Sequence, residues 1–273
     1  MNRNAAPKPE PSAIPVPLPS AKIVDQLARG PLLLCLDFDG TIAELTNDPL
    51  SSVPIPRAKN AIAELARHRK KITVAIISGR DLDTLLKLLG LREGLLFAGT
   101  HGLEFIGRDG TGKLAPGVDS CREDIELVRS FIARTVPKEG GFIIEDKGLA
   151  LTINYRNAKQ EQAREVVAAF DKFVATRPTL KLLQGKMIRE ALPRDIGGKD
   201  SAIEFLMRDA GFSGPSTVYF GDDTTDEDAF HALAKVGGIT VLVGAERASF
   251  AQYRIDRPKD VADLLARLAT AVS

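Results

Sequence analysis

The chain is poor in the residues that mark several common protein classes. It has only two cysteines, Cys35 and Cys121, in 273 residues. Two thiols cannot build a disulfide framework or a four-cysteine zinc site. Three histidines leave little room for histidine-rich metal chemistry. Charge of one sign is also missing, since 37 Lys and Arg face 36 Asp and Glu for a net charge of +1. A nucleic-acid binder usually carries a basic domain or stripe, and an acidic disordered tail protein is excluded by the same balance. Apolar runs such as Pro31 to Leu36 fall far short of the roughly 20 residues that span a bilayer. The first residues show no apolar leader stretch, so the cytoplasm is the expected compartment.

What is present is ordinary globular material, with 44% hydrophobic and 27% charged residues. Residues 1–20 carry Pro7, Pro9, Pro11, Pro15, Pro17 and Pro19 and read as a flexible tail. Short, wholly apolar runs then alternate with helical periods. Leu32 to Leu36, Ile72 to Ile77 and Leu95 to Ala98 read as buried parallel strands. Asp81 reads as an N-cap, and Gly90 closes the helix that follows. From about 108 to 193 the texture changes to paired strands with two long helices, the mark of an α+β module. After Pro193 the α/β alternation returns, with strands at Thr217 to Phe220 and Ile239 to Val243. The expectation is an α/β, doubly wound, Rossmann-like parallel sheet built from 21–107 and 194–273. An α+β cap of residues 108–193 is inserted in it, with glycine-containing hinges near 107–112 and 193–198.

Four segments carry chemistry. In Leu36-Asp37-Phe38-Asp39-Gly40-Thr41 two carboxylates fall at i and i+2 behind a buried strand, where open α/β sheets bind ligands. Ile77-Ser78-Gly79-Arg80 ends the second strand with a hydroxyl and a glycine, the makings of a phosphate cradle. Gly197-Gly198-Lys199-Asp200 opens a helix without being a P-loop. Gly221-Asp222-Asp223-Thr224-Thr225-Asp226-Glu227-Asp228 crowds acids behind a fourth strand, a density of oxygen ligands suited to Mg²⁺. Glu227 and Asp228 read as acids of a first helical turn.

The order of these four segments resembles the haloacid dehalogenase-like phosphatase superfamily, over nearly all of the chain after residue 30. The resemblance implies that Asp37 is the nucleophile and Asp39 the general acid/base. It implies that Ser78 and Lys199 hold the phosphoryl group, and that Asp37, Asp39 and Asp222 bind Mg²⁺ with Asp223 and Asp226 in support. Gly99-Thr100-His101-Gly102-Leu103-Glu104, Glu145-Asp146-Lys147-Gly148, Leu151 to Arg156, and Gly185-Lys186-Met187-Ile188-Arg189-Glu190 narrow the resemblance to the trehalose-6-phosphate phosphatase family.

In that family the cap residues matching Glu145, Lys147, Lys186 and Glu190 hold the disaccharide phosphate. Gly40, Thr41, Gly79, Arg80, His101, Gly102, Glu104, Asn154 and Arg156 complete the expected substrate set. Lys147, Arg156, Lys186 and Arg189 would gather positive charge on the insert. Asn154 stands where the family often has His, and Leu192 where it often has Arg. Gly198-Lys199-Asp200 replaces its usual Asn-Lys-Gly and keeps the lysine. The implied activity is a Mg²⁺-dependent phosphatase for trehalose 6-phosphate, a small sugar phosphate, with no nucleic-acid or membrane partner. The alternatives are another glycosyl phosphate, such as mannosyl-3-phosphoglycerate or sucrose phosphate, or a phospho-acceptor signalling domain.

Overall fold

The computed structural model describes residues 10–46, 51–185 and 187–273. The chain runs β1 (Val16–Pro17), α1 (Ser20–Ala28), β2 (Leu32–Asp37), α2 (Pro56–Arg67), β3 (Ile72–Ile77), α3 (Leu82–Leu89) and β4 (Leu95–Gly99). Next come β5 (Glu104–Ile106), β6 (Gly112–Leu114), α4 (Arg122–Thr135), β7 (Ile143–Asp146), β8 (Leu151–Asn154), α5 (Gln160–Ala175), β9 (Leu180–Gly185) and β10 (Ile188–Pro193). The last stretch holds α6 (Lys199–Ala210), β11 (Thr217–Gly221), α7 (Asp226–Lys235), β12 (Ile239–Val243), β13 (Tyr253–Ile255) and α8 (Pro258–Val272). Two compact units result, one of residues 1–77, 86–96 and 199–273, the other of 78–85 and 97–198.

The first unit is the expected α/β fold. Its strands lie in the order β1-β13-β12-β11-β2-β3, each parallel to its neighbour. Every residue of β2, β3 and β11 is buried, which is why these segments lack polar alternation. Helices α1, α2 and α8 pack together, and α6 packs on α7. The strand β2 is first of the central run and lies between β3 and β11. The strand order reverses there, and the carboxyl ends of strands at such a switch point are the usual ligand position in open α/β sheets.

The proline-rich start departs from its reading as a tail. Val16 and Pro17 form an edge strand on β13. The amide of Val16 donates to the Gln252 carbonyl at 3.2 Å, and that of Leu18 to the Arg254 carbonyl at 2.8 Å. Residues 16 and 18 direct their amides towards the sheet, so residues 15, 17 and 19 direct theirs away. Those three are prolines, which have no N–H to present. The outer edge therefore offers few donors to another chain. Prolines 7 and 9 lie outside the described residues.

The second unit contains an antiparallel sheet ordered β7-β8-β10-β9. Helices α4 and α5 cover one face, where Ile125, Val128 and Ile132 meet Leu151, Ile153, Val166, Phe170 and Ala191. Phe131 stacks on Phe173 with ring centroids 4.3 Å apart. The alternate residues of β8 and β10, Thr152, Asn154 and Glu190, belong to the opposite, polar face. This unit reaches beyond the expected 108–193. Antiparallel pairing of β5 with β6, and bonds such as Ala115 N–H to the Leu103 carbonyl (2.9 Å), tie residues 97–107 to it. At three residues, β6 is too short to show a period in the sequence.

Candidate active site

The first unit gathers carboxylates at the ends of β2 and β11. Asp37 is the last residue of β2 and is buried. Lys199, the first residue of α6, donates from Nζ to Asp37 Oδ1 at 2.7 Å and to Asp226 Oδ1 at 2.6 Å. Lys199 is itself only 4% exposed. Asp226 opens α7 and is more than a helix-start acid. Its Oδ2 accepts the amides of Asp222 (3.0 Å) and Asp223 (2.9 Å), and its Oδ1 accepts the Tyr219 hydroxyl. Carboxylate oxygens of Asp37, Asp222 and Asp226 lie within 4.8 Å of one another.

Two glycines make this approach possible. Gly40 has φ +76°, and a Cβ there would fall 1.9 Å from the Asp222 carboxylate. A Cβ on Gly221 would meet the Asp226 carboxylate at 2.4 Å. Both positions therefore exclude every residue with a side chain.

The Asp39 carboxylate, expected from sequence in the metal set, lies outside this group of three. The i, i+2 argument requires extended chain, and β2 ends at Asp37. Beyond it the amides of Ile42 and Ala43 turn back to the Phe38 carbonyl at 3.1 and 3.0 Å. Asp39 sits in that turn, half-buried, and its Oδ1 accepts Ser52 Oγ at 2.7 Å. Asp226 takes its place in the carboxylate group.

The electrostatics identify what the group lacks. Burial pushes the Asp37 carboxyl well above its ordinary range, and the Asp226 and Asp222 charges add to this against Lys199. Burial and Asp226 push Asp222 up to about 7. Burial would lower the Lys199 pKa, but Asp226 and Asp37 hold it far above its ordinary value. Three acids against one ammonium leave an excess of negative charge that a divalent cation would relieve. An all-oxygen set of this kind suits a hard cation. The buried Thr41 Oγ1 has no hydrogen-bond partner among the described residues. A phosphoryl oxygen is a suitable acceptor for it.

The second unit assembles a separate polar constellation. Glu190, 1% exposed, accepts Lys147 Nζ on Oε1 at 2.7 Å and meets His101 Nε2 through Oε2 at 3.2 Å. Lys147 also donates to the Gly79 carbonyl at 3.0 Å. The His101 ring lies where a Gly79 side chain would be, 2.5 Å from the position of its Cβ. Thr100 and His101 have φ of +46° and +53°, a conformation costly for non-glycine residues, and Gly102 follows at +80°. Several bonds hold this strained run. Thr100 N–H donates to the Arg80 carbonyl (2.7 Å), His101 N–H to the Ser78 carbonyl (3.1 Å), and Gly198 N–H to the His101 carbonyl (2.6 Å).

The remaining expected residues divide. Ser78 is buried and its Oγ accepts the Arg80 amide at 3.2 Å. Glu104 accepts Thr100 Oγ1 at 2.7 Å and so braces the strained loop; burial raises its pKa. Asn154 accepts the Arg156 amide at 3.1 Å, closing the turn after β8. Glu145 stands opposite Thr152, and Thr152 opposite Glu190, in one cross-strand row. Lys186 lies outside the described residues. Arg189 does not join the polar face. It bonds the Tyr155 hydroxyl (3.0 Å) and Asp171 of α5, because alternation along β10 sends it to the helical side.

Burial alone would raise the Glu190 pKa, but the Lys147 charge and the His101 hydrogen bond hold it down to about 2. An acid depressed on folding adds stability above its unfolded value near 4.5, and that stability is lost as the pH falls towards 2. The contribution is roughly 3 kcal/mol at neutral pH. Glu190→Gln should therefore unfold at markedly lower denaturant than wild type at pH 7, with the gap narrowed by about half at pH 3. An equal gap at both pH values would contradict the assignment.

Sequence reasoning missed Tyr219, Ser52 and Arg247. Tyr219 carried a signal, a phenolic hydroxyl in a wholly buried strand, whereas Arg247 had none.

Comparison with known proteins identifies relatives over most of the chain. Residues 35–259 match the family model described as Trehalose-phosphatase. The chain is 29% identical over 275 residues to the trehalose-phosphate phosphatase of Mycobacterium leprae, covering 96% of this chain and 63% of that protein. It is 31% identical over 257 residues to that of Mycobacterium avium, covering 90% and 64%. The chain thus spans less than two thirds of these relatives' length. The C-terminal domain of a Candida albicans trehalose-6-phosphate phosphatase has a similar fold, with TM-score 0.75 and 22% identity over 96% of this chain and 100% of that one. An Aspergillus fumigatus trehalose-6-phosphate phosphatase gives TM-score 0.64 and 29% identity over 94% and 99%.

Proposed function

The chain belongs to the trehalose-phosphatase family, and on that premise we propose that it hydrolyses trehalose 6-phosphate to trehalose and phosphate with Mg²⁺. One observation carries the reading. Asp37 is buried at the end of β2, held by Lys199 and grouped with Asp222 and Asp226. Asp37 and Asp222, with Asp226 beside them, would hold the cation. The bound ion would supply charge neutralisation for the phosphoryl group.

The chain's own residues then act in two steps. In the first, an Asp37 oxygen attacks phosphorus and the bond to the sugar oxygen breaks, leaving phosphate on Asp37. Asp39 protonates the departing sugar oxygen. In the second, Asp39 takes a proton from water, which attacks phosphorus and breaks the bond to Asp37. Inorganic phosphate leaves, and Asp39 is protonated again. Lys199 offsets phosphoryl charge throughout, and Ser78 and Thr41 donate hydroxyl hydrogen bonds. We assign specificity to the second unit. Lys147, Glu190, His101 and Glu145 supply the donors and acceptors that sugar hydroxyls require. Arg80, Gly102, Glu104, Asn154 and Arg156 shape their surroundings.

Phosphate release from a panel of sugar phosphates tests this, with Mg²⁺ and with chelator. Trehalose 6-phosphate should be the best substrate, and chelator should abolish turnover. Faster release from sucrose phosphate or mannosyl-3-phosphoglycerate would overturn the substrate. Undiminished activity in chelator would overturn the cation.

A further inference from the structure

The acidic loop after β11 is gripped from two sides, and only one of them belongs to the carboxylate group described above. On that side Asp226 accepts the amides of Asp222 and Asp223. On the other lies Arg247, in the connection between β12 and β13. Its Nη2 donates to the Asp222 carbonyl at 3.3 Å and to the Asp223 carbonyl at 3.2 Å. Its Nη1 pairs with Glu227 and donates to the Ala248 carbonyl at 3.2 Å. The peptide unit joining Asp222 to Asp223 is thereby held at both ends, its carbonyl by Arg247 and its N–H by Asp226.

Glu227 is fixed in turn. Its side chain is 13% exposed and accepts Ser249 Oγ at 2.9 and 3.1 Å and the Phe250 amide at 2.8 Å. Ser249 is buried, and its Oγ accepts the Ala251 amide at 3.0 Å. An acid that reads as an ordinary helix-start residue is thus the anchor of a brace. A planar guanidinium with five donors in a fixed fork can span these three carbonyls and a carboxylate together, whereas an ammonium offers three donors from a single point.

We propose that Arg247 is a positioning residue for divalent-cation binding, orienting the Asp222 carboxylate by fixing the backbone of residues 222–223. Partners that orient a metal ligand without touching the ion typically change affinity 10- to 100-fold. The proposal rests on the functional reading only in taking Asp222 as a ligand of the cation.

The test is calorimetric titration of Mg²⁺ into chelator-treated wild type, Arg247→Ala and Arg247→Lys, with melting temperatures recorded without metal. Arg247→Ala should weaken Mg²⁺ binding about 10-fold or more, and Arg247→Lys should recover part of it. The Mg²⁺ concentration for half-maximal phosphate release should rise in parallel. The KM for trehalose 6-phosphate at saturating Mg²⁺ should stay within about twofold, since the bonds of Arg247 among the described residues run to Asp222, Asp223, Glu227 and Ala248 and not to a residue assigned to the sugar. If Arg247→Ala fails to fold, Arg247→Lys and Ser249→Ala, which loosens Glu227, provide the same readout. Unchanged Mg²⁺ affinity, with or without a lower melting temperature, overturns the proposal. A wild type that binds Mg²⁺ but releases no phosphate would overturn the functional reading, while the titration would still decide the role of Arg247.

Discussion

Asp37→Asn should lose activity by a factor on the order of 10⁴ to 10⁶ while remaining folded. Asparagine keeps the shape of the side chain but offers no carboxylate to attack phosphorus. Stability should move the other way from activity. The Asp37 pKa is pushed well above its ordinary value by burial and by the Asp226 and Asp222 charges. An acid raised on folding costs stability wherever its unfolded form is ionised, which means above about pH 4. Removing that charge in metal-free protein should leave the melting temperature unchanged or higher. Lys199 keeps its bond to Asp226 at 2.6 Å, so it is not stranded. The measurement is phosphate release alongside thermal unfolding in chelator. A substantially active Asp37→Asn enzyme would remove Asp37 from the nucleophile's role, and a collapsed fold would contradict the electrostatic argument.

Lys199→Met should damage the fold as well as the chemistry. Its ammonium is bonded to both Asp37 and Asp226. Breaking a buried pair by removing one member typically costs 3–5 kcal/mol, because the other member stays charged and buried. Here two carboxylates are left facing each other and Asp222. Activity should also fall by a factor on the order of 10² to 10³, the usual cost of losing one preorganised charge-stabilising group. A second substitution separates the two effects. Asp226→Asn in the Lys199→Met background should recover a large part of the lost stability, measured by urea unfolding, but little activity. Recovery of both would show that Lys199 acts only as structural counter-charge.

The tests differ because the sequence revealed some of these residues far better than others. Asp37, Lys199 and Asp222 were visible because each sits at a junction of a strong local pattern, an all-apolar strand end or a glycine-flanked helix start. Asp226 was visible as an acid but not as the centre of the group, since four residues of separation say nothing about which carboxylate turns inward. Asp39 shows the limit of period-2 reasoning, which fails one residue after the strand stops. His101 and Glu190 lie 89 positions apart, and no local rule pairs them. The proline-rich start shows a composition argument overridden by register, for Pro15, Pro17 and Pro19 suit an edge whose outward amides would otherwise be unpaired.

The amino-acid order by itself determined the α/β class, the interruption by an α+β module, and the strand ends where the acids stand. Those follow from hydrophobic periodicity and from glycine and proline, which act within a few residues. Only the tertiary structure decided which oxygens converge. It chose Asp226 over Asp39, placed Lys147 on Glu190, and brought Arg247 to the carbonyls of Asp222 and Asp223. The physical reason is that burial and the register of strands distant in sequence set these distances. The near-equal totals of acidic and basic residues carry no trace of either.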